Sequence, residues 1–345
     1  MLVTFLPINK KIQVETDTNL MDIALEHGID LGGICSRRRT CGKCKVMITK
    51  GNNKKYSDEE LQLLTEEEQS SGIRLACCFT IIEDTCIILS GRRKNTTELD
   101  HCFEKLDSSQ EEMDEKLETG PANHYGIAFD IGTTSVVGRL WDLDHKEMVG
   151  EISTKNPQSI YGADVIARIT YANQSPEHLK RLTDQIRECC NTLLLQLTSK
   201  HNINKDHIES AVIVANTTMT QLFLGNSVEK LARVPFQGIS YEGIERKAFE
   251  LDLQMSPEGI VYIMPGIAGH VGSDTLGCIL ARDLQHAKGN RLLVDIGTNG
   301  EIALSKDGEL IVCSTAAGPA FEGASLHQGM RAINGAISKV KIGKE

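Results

Sequence analysis

Residues 32–44 read GGICSRRRTCGKC, and this stretch decides the fold of the first part of the chain. Cys35, Cys41 and Cys44 stand in a C-x5-C-x2-C spacing, and a vicinal pair follows at Cys77 and Cys78. A tight loop of three thiolates closed by a distant fourth holds a single [2Fe–2S] cluster. Gly32, Gly33 and Gly42 let the backbone close around an inorganic core where side chains would collide. Arg37, Arg38 and Arg39 are placed to offset the negative charge of four thiolates. Structural zinc also takes four thiolates, but it usually pairs two short knuckles, and no second C-x2-C follows. Nothing at the N-terminus resembles a signal peptide, which argues against a disulfide framework. The first ninety or so residues are therefore expected to carry one electron at a time. Spacing alone leaves Cys77 and Cys78 both open as the fourth ligand.

Outward from this loop, the bulk properties bound the rest. A chain of 345 residues is long enough for two or three domains. Its net charge of -10 argues against a nucleic-acid partner, and 4% aromatic residues argues against base-stacking platforms. No apolar run is long enough to span a bilayer, so no membrane association is expected. Eleven cysteines without an export signal point to a reducing cytoplasm.

Alternation and β-branched content predict a hairpin from residues 2–6 and 11–15. A helix is expected from about Asn19, with Leu20, Ile23 and Ala24 on one face and Gly28 as its stop. A strand near 45–49 follows. Ser57 with Glu60, and Thr65 with Glu68, are capping-box patterns that each open a short helix. A strand at 86–89 completes a β-β-α-loop-β-α-β order, which suits a β-grasp fold. Residues 92–123 are polar and acidic and read as a linker, with a weak apolar stripe of Phe103, Leu106, Met113 and Leu117. From Tyr125 the pattern turns α/β. Helices are expected over about 162–173 and 176–200, and strands at 211–214 and 292–294. The expected divisions are 1–91, 92–123, 124–207 and 208–345.

Asp130-Ile131-Gly132-Thr133-Thr134 and Asp295-Ile296-Gly297-Thr298-Asn299-Gly300 repeat one turn. Each follows an apolar strand and precedes another. A carboxylate at a strand end can hold Mg²⁺ directly or through water. Gly132 and Gly297 admit a phosphate close to the backbone. Thr133, Thr134, Thr298, Asn299 and the turn amides around Gly300 supply donors. One such turn is a weak signal and also fits a plain polar hairpin. Two, facing across a cleft, would grip the phosphates of ATP from both sides. The rival phosphate motifs, G-x-x-x-x-G-K-[ST] and G-x-G-x-x-G after a strand, are absent.

The segment Arg74-Leu75-Ala76-Cys77 resembles the stretch that supplies the last ligand in many ferredoxins, which selects Cys77 and leaves Cys78, Cys86 and Cys102 as plain thiols. The paired hairpins resemble the phosphate-1 and phosphate-2 loops of the actin/sugar-kinase/Hsp70 ATPase superfamily, with its RNase H-like fold. Together with NPQSIYGADVIARI (156–169), NTTM (216–219) beside LFLG, GHVGSD (269–274) and STAAGPAFEGA (314–324), the chain resembles the ATP-dependent reductive activators of corrinoid proteins. The resemblance implies an α/β and α+β multidomain protein. It implies a [2Fe–2S] cluster on Cys35, Cys41, Cys44 and Cys77, and Mg·ATP with Asp130 and Asp295 at the metal and water. Its activity would be one-electron reduction of Co(II) to Co(I) in a corrinoid protein, fed by a separate electron donor. It also implies a homodimer through the segment after the ferredoxin, with the ferredoxin left mobile. Asp164 and Asp274 lie in family-like motifs; each reads equally as a helix-cap carboxylate.

The chain departs from the family in two ways. Members run to roughly six hundred residues, so a glycine-rich adenosine-contacting stretch is expected to be missing and ATP binding to be weak. Ala215 stands where a glycine is expected before Asn216. A different class of function, a ferredoxin with a non-catalytic interaction region, fits the short chain but gives the hairpins no role. A small-molecule kinase of the same superfamily gives the cluster none.

Overall fold

Short alternating strands build the N-terminal part. β1 (Leu2–Leu6) buries Val3 and Phe5 and exposes the residues between them more fully. It pairs antiparallel with β2 (Lys10–Gln13). β3 (Thr18–Asn19) leads into α1 (Leu20–Glu26), where the Asn19 side chain accepts the Met21 amide and so caps the helix. The thiol loop then runs to β4 (Lys45–Lys50). Both predicted capping boxes form, on α2 (Asp58–Leu63) and α3 (Glu66–Ser70). β5 (Ile73–Leu75), β6 (Thr80–Ile81) and β7 (Thr85–Leu89) complete the sheet, whose order is β2-β1-β7-β4-β5 with β1 and β7 parallel. A β-grasp fold results, with β3, β5 and β6 as elements beyond the predicted order. Phe5, Leu20, Ile23, Leu75, Phe79, Ile81 and Ile87 form its core.

These coordinates belong to a computed structural model that describes residues 1–89 and 124–315, apart from 34, 36, 52–54, 238–241 and 298. The acidic segment with its apolar stripe, Cys102, Thr298 and nearly all of STAAGPAFEGA lie outside the described residues. The described residues group into two compact units, one of 1–89 with 158–171 and one of 124–157 with 172–315. Within the first, the Tyr161 hydroxyl donates to the Leu25 carbonyl at 3.4 Å.

In the second unit, β8 (Tyr125–Ile131) and β9 (Ser135–Asp142) are the strands flanking the first repeated turn. β10 (Glu147–Lys155) extends them antiparallel. Next in the chain comes α4 (Val165–Ala172), which up to Tyr171 belongs to the first unit, and then α5 (Pro176–His201) of the second; Ser175 caps α5, Pro176 opens it and Asn202 ends it in the left-handed region. β11 (Ile208–Ala215) pairs parallel with β8, and α6 (Thr217–Leu224) starts at the Asn216 cap. β12 (Ile244–Lys247) and β13 (Ile260–Ile263) close a six-stranded sheet of order β10-β9-β8-β11-β13-β12. α7 (Ser273–Ala281) leads to a second sheet, β14 (Asn290–Ile296), β15 (Gly300–Lys306) and β16 (Glu309–Thr315), all antiparallel. One face packs Ile279, Leu284 and Ala303 with Leu293 and Val312. The other leaves Leu292, Ile296 and Ile311 at 65%, 66% and 69% exposure.

Candidate functional site

Two sites take shape, one in each unit. In the first, α1, the loop and the turn after β5 bring four thiols together as two pairs. The Cys44 and Cys77 sulfurs stand 3.4 Å apart, both nearly fully buried. Their mutual hydrogen bond holds Cys44 down to about 7 and, with burial, pushes Cys77 well up. Burial raises Cys35, but bonds from the Thr40 and Cys41 backbone and from the Cys41 side chain outweigh it and lower its pKa. Two thiolates on one tetrahedral metal, each about 2.3 Å away, lie roughly 3.8 Å apart. The Cys44–Cys77 spacing is close to that, and the pairing of Cys35 with Cys41 supplies a second set.

Among the described residues no three Cys, His, Asp or Glu side chains gather on one point as a single metal ion requires. The loop is shaped by left-handed backbone at Gly42 and, less usually, at Arg37 and Arg39, with φ of 59°, 69° and 57°. Its cations are partly spoken for. Arg37 pairs with Asp22, Arg39 with Glu59 at 3.3 Å, and Arg38 donates to the Cys35 carbonyl. Arg39 is raised first by its bond to Glu59 and also by negative charge at Cys78 and Cys77. Cys78 lies 3.8 Å from the Cys77 sulfur, and burial raises its pKa. Cys86 sits in β7.

In the second unit the two repeated turns are brought together. Asp130 ends β8 opposite Val137 and Val214, and Asp295 lies on β14 opposite Glu301. A Cβ on Gly132 would meet the Ser135 carbonyl at 2.9 Å, so the turn closes only with glycine. Two buried asparagines clamp it. Asn156 donates its side-chain amide to the Gly132 carbonyl at 2.8 Å and its backbone amide to the Thr134 carbonyl at 2.8 Å. Asn216 donates its side-chain amide to the Thr133 hydroxyl at 2.9 Å while its side-chain oxygen, Oδ1, accepts the Met219 amide. In the second turn Gly297 donates to the Asn299 carbonyl at 3.0 Å, and Gly300 pairs with Ile296 and Thr315.

The carboxylates of both turns feel one another. Asp130 is open to solvent by area, yet crowding protein atoms raise it; Arg139 opposes this and Asp295 adds to it. Asp274, in the first turn of α7, is raised to about 6 by burial and then by Asp130 and Asp295. Glu301, only 6% exposed, is raised to about 7 by burial, Asp274 and Asp295. Like charges that raise one another's pKa are relieved by a nearby cation. Oxygen donors of this kind suit Mg²⁺, although among the described residues no three of them gather on one point. Asp164 is elsewhere and accepts the Ala167 amide at 2.7 Å, a helix-capping role. Glu301, Asn156 and Asn216 are missed by the sequence reading, although all three fall inside or beside its quoted motifs. Ala215 is accommodated because the close approach is made from the other side. A Cβ on Gly272 would come within 2.4 Å of the Ala215 carbonyl and the Asn216 Cα.

Fold and sites define a [2Fe–2S] ferredoxin domain followed by an actin-like ATPase fold. Three family profiles match in the same order: "2Fe-2S iron-sulfur cluster binding domain" over residues 3–81, "RACo middle region" over 125–287, and "C-terminal domain of RACo the ASKHA domain" over 289–345. The last two are both regions of RACo, and over them the chain is similar to that family. The first profile is that of a domain that binds a [2Fe–2S] cluster, and the third is that of an ASKHA domain. The chain is 43% identical over 216 residues to "Corrinoid activation enzyme RamQ" of Eubacterium limosum, covering 63% of this chain and 36% of that protein. It is 28% identical to "[Co(II) methylated amine-specific corrinoid protein] reductase" of Methanosarcina barkeri, covering 63% and 41%. A solved "Reductive activator for corrinoid,iron-sulfur protein" aligns at a TM-score of 0.59 and 28% identity, over 97% of this chain and 66% of that one. The chain spans about two fifths of the curated relatives it matches. No helix among the described residues is long and apolar enough to cross a membrane.

Proposed function

We propose that the chain serves ATP-dependent reductive activation of a corrinoid protein, returning Co(II) to Co(I) by one electron. The observation that carries this reading is the presence, in one chain, of a two-pair thiol site and a carboxylate cleft between paired phosphate turns. A [2Fe–2S] centre of this type supplies one-electron transfer at about −400 mV. For a one-electron step each ~59 mV of deficit costs about tenfold in equilibrium. An uphill transfer to cobalt therefore needs a bias, and nucleotide-dependent states provide one.

Roles follow for the chain's own residues. Cys35 with Cys41, and Cys44 with Cys77, hold iron. Asp130 and Asp295 hold Mg²⁺ and position water. Gly132, Thr133, Thr134, Gly297, Thr298, Asn299 and Gly300 contact phosphates. Asp274 and Glu301 join them in charge. The chain works in the cytoplasm with a separate electron donor, as a homodimer, and divides at 1–91, 92–123, 124–207 and 208–345.

The test is anaerobic. Cob(I)alamin-type absorbance should grow when reduced protein and Mg·ATP are mixed with a Co(II) corrinoid protein, and ATP turnover should rise with that partner present. Electron transfer with no dependence on ATP would favour the rival reading, a ferredoxin with a non-catalytic interaction region.

A further inference from the structure

The fourth thiol is held in place by side chains that are not ligands. Glu60 is fully buried and Arg74 is 1% exposed. Their contact is a two-pronged fork: Arg74 Nε donates to Glu60 Oε1 at 2.9 Å and Nη2 to Oε2 at 2.8 Å. Each carboxylate oxygen takes a second donor, the Leu75 amide at 2.9 Å on one and the Ser57 amide at 3.0 Å on the other. Leu75 is two residues before Cys77. The next amide, of Ala76, donates to the carbonyl of Cys44 at 2.9 Å and so ties one cluster strand to the other. Beyond the ligand, the Phe79 ring lies 4.9 Å from the Arg74 guanidinium, and Tyr56 lies 4.4 Å from it. The ion pair thus grips the chain on both sides of Cys77.

A capping box needs only an exposed Glu, and an isolated buried pair is costly to desolvate, so helix capping does not account for this arrangement. We propose that Glu60 and Arg74 are positioning residues for Cys77, and that their balanced charges set the reduction potential of the cluster that Cys77 helps hold. This rests on the [2Fe–2S] assignment. Groups around the ligands orient them and tune the metal. In a low-dielectric setting an unbalanced charge nearby weighs heavily. Reduction adds a negative charge, so an unbalanced Arg74 cation favours the reduced form and an unbalanced Glu60 anion opposes it.

The experiment compares midpoint potentials of the intact chain, loaded with its cluster and titrated anaerobically with electron paramagnetic resonance as the readout. Glu60→Gln should raise the potential, shifting the redox equilibrium about tenfold, or ~59 mV for one electron. Arg74→Met should lower it by a similar factor. The double variant should return close to the parent chain. A role confined to folding predicts instead a lower melting temperature and cluster content in both single variants with the potential unmoved. Shifts of one sign in both, no shift, or loss of the cluster from all three variants while the parent keeps it would each overturn the proposal. A parent chain that holds no cluster would overturn the cofactor assignment instead.

Discussion

Cys77 and Cys78 are neighbours with different surroundings. Cys77 faces Cys44 across 3.4 Å, whereas Cys78 stands 3.8 Å from Cys77 and bonds to the Ser57 side chain. Cys77→Ser and Cys41→Ser should therefore bleach the red-brown chromophore, while Cys78→Ser and Cys86→Ser should keep about two irons and two sulfides per chain. Iron analysis and visible spectra check this; retained colour in Cys77→Ser would assign the fourth ligand to Cys78. A second residue-scale consequence concerns pH. Asp274 and Glu301 have folded values of about 6 and about 7, above their ordinary 3.8 and 4.5. The folded chain holds these protons more tightly than the unfolded chain does. The stability from this source is complete below the unfolded values and is lost as pH rises through 6 to 7. A divalent cation favours the ionised forms and reverses the loss. Mg²⁺ should thus raise the melting temperature more at pH 8 than at pH 5, and Asp274→Asn should flatten the difference. Equal Mg²⁺ effects at both pH values would remove these carboxylates from the cation site.

At the scale of elements, the first phosphate turn is held by two asparagines from outside its hairpin. Asn156→Ala leaves the half-buried Gly132 carbonyl without its donor, a loss of about 1 kcal/mol. Asn216→Ala removes the α6 cap, about 1 kcal/mol, and the partner of Thr133. Chemical denaturation should show both losses, and Mg·ATP calorimetry should show weaker binding in Asn156→Ala. Unchanged nucleotide affinity in a folded variant would mean that the turn does not need the clamp.

These clamps mark the limit of what the sequence discloses. The capping boxes at Ser57 and Thr65 are legible because donor and acceptor are three residues apart. The bonds from Asn156 to Gly132 and from Asn216 to Thr133 span 24 and 83 residues, and no local pattern announces them. The residues before Cys77, Arg74 and Leu75, are what single it out in the sequence, yet the buried partner of Arg74, Glu60, shows there only as a capping residue. Strands hid for a related reason. β10 is half-buried or exposed throughout, so its residues show no apolar alternation, and β12 is four residues on a sheet edge. β14 was legible as an apolar run even though Leu292, Val294 and Ile296 turn out to face outward.

For the whole molecule, the proposed dimer is testable by light scattering on the intact chain and on a version lacking residues 95–120. A dimer that becomes a monomer on deletion supports the proposal, and a monomer in both returns the segment to a solvated tether. A second source of association is built into the fold, and it obeys a different law. Among the described residues β14 has a sheet partner on one side only, β15, and the outward face beside it carries Leu292, Val294, Ile296 and Ile311. An open strand edge beside apolar side chains is a template on which another edge can add. Where this edge adds to a different edge of the next copy, the contact is head-to-tail and does not close, so it yields particles whose mass climbs with concentration rather than one fixed stoichiometry. Ile311→Lys should flatten that climb and leave the chromophore untouched. The shape of the mass curve, plateau or ramp, thus separates a specific dimer from adhesion along β14.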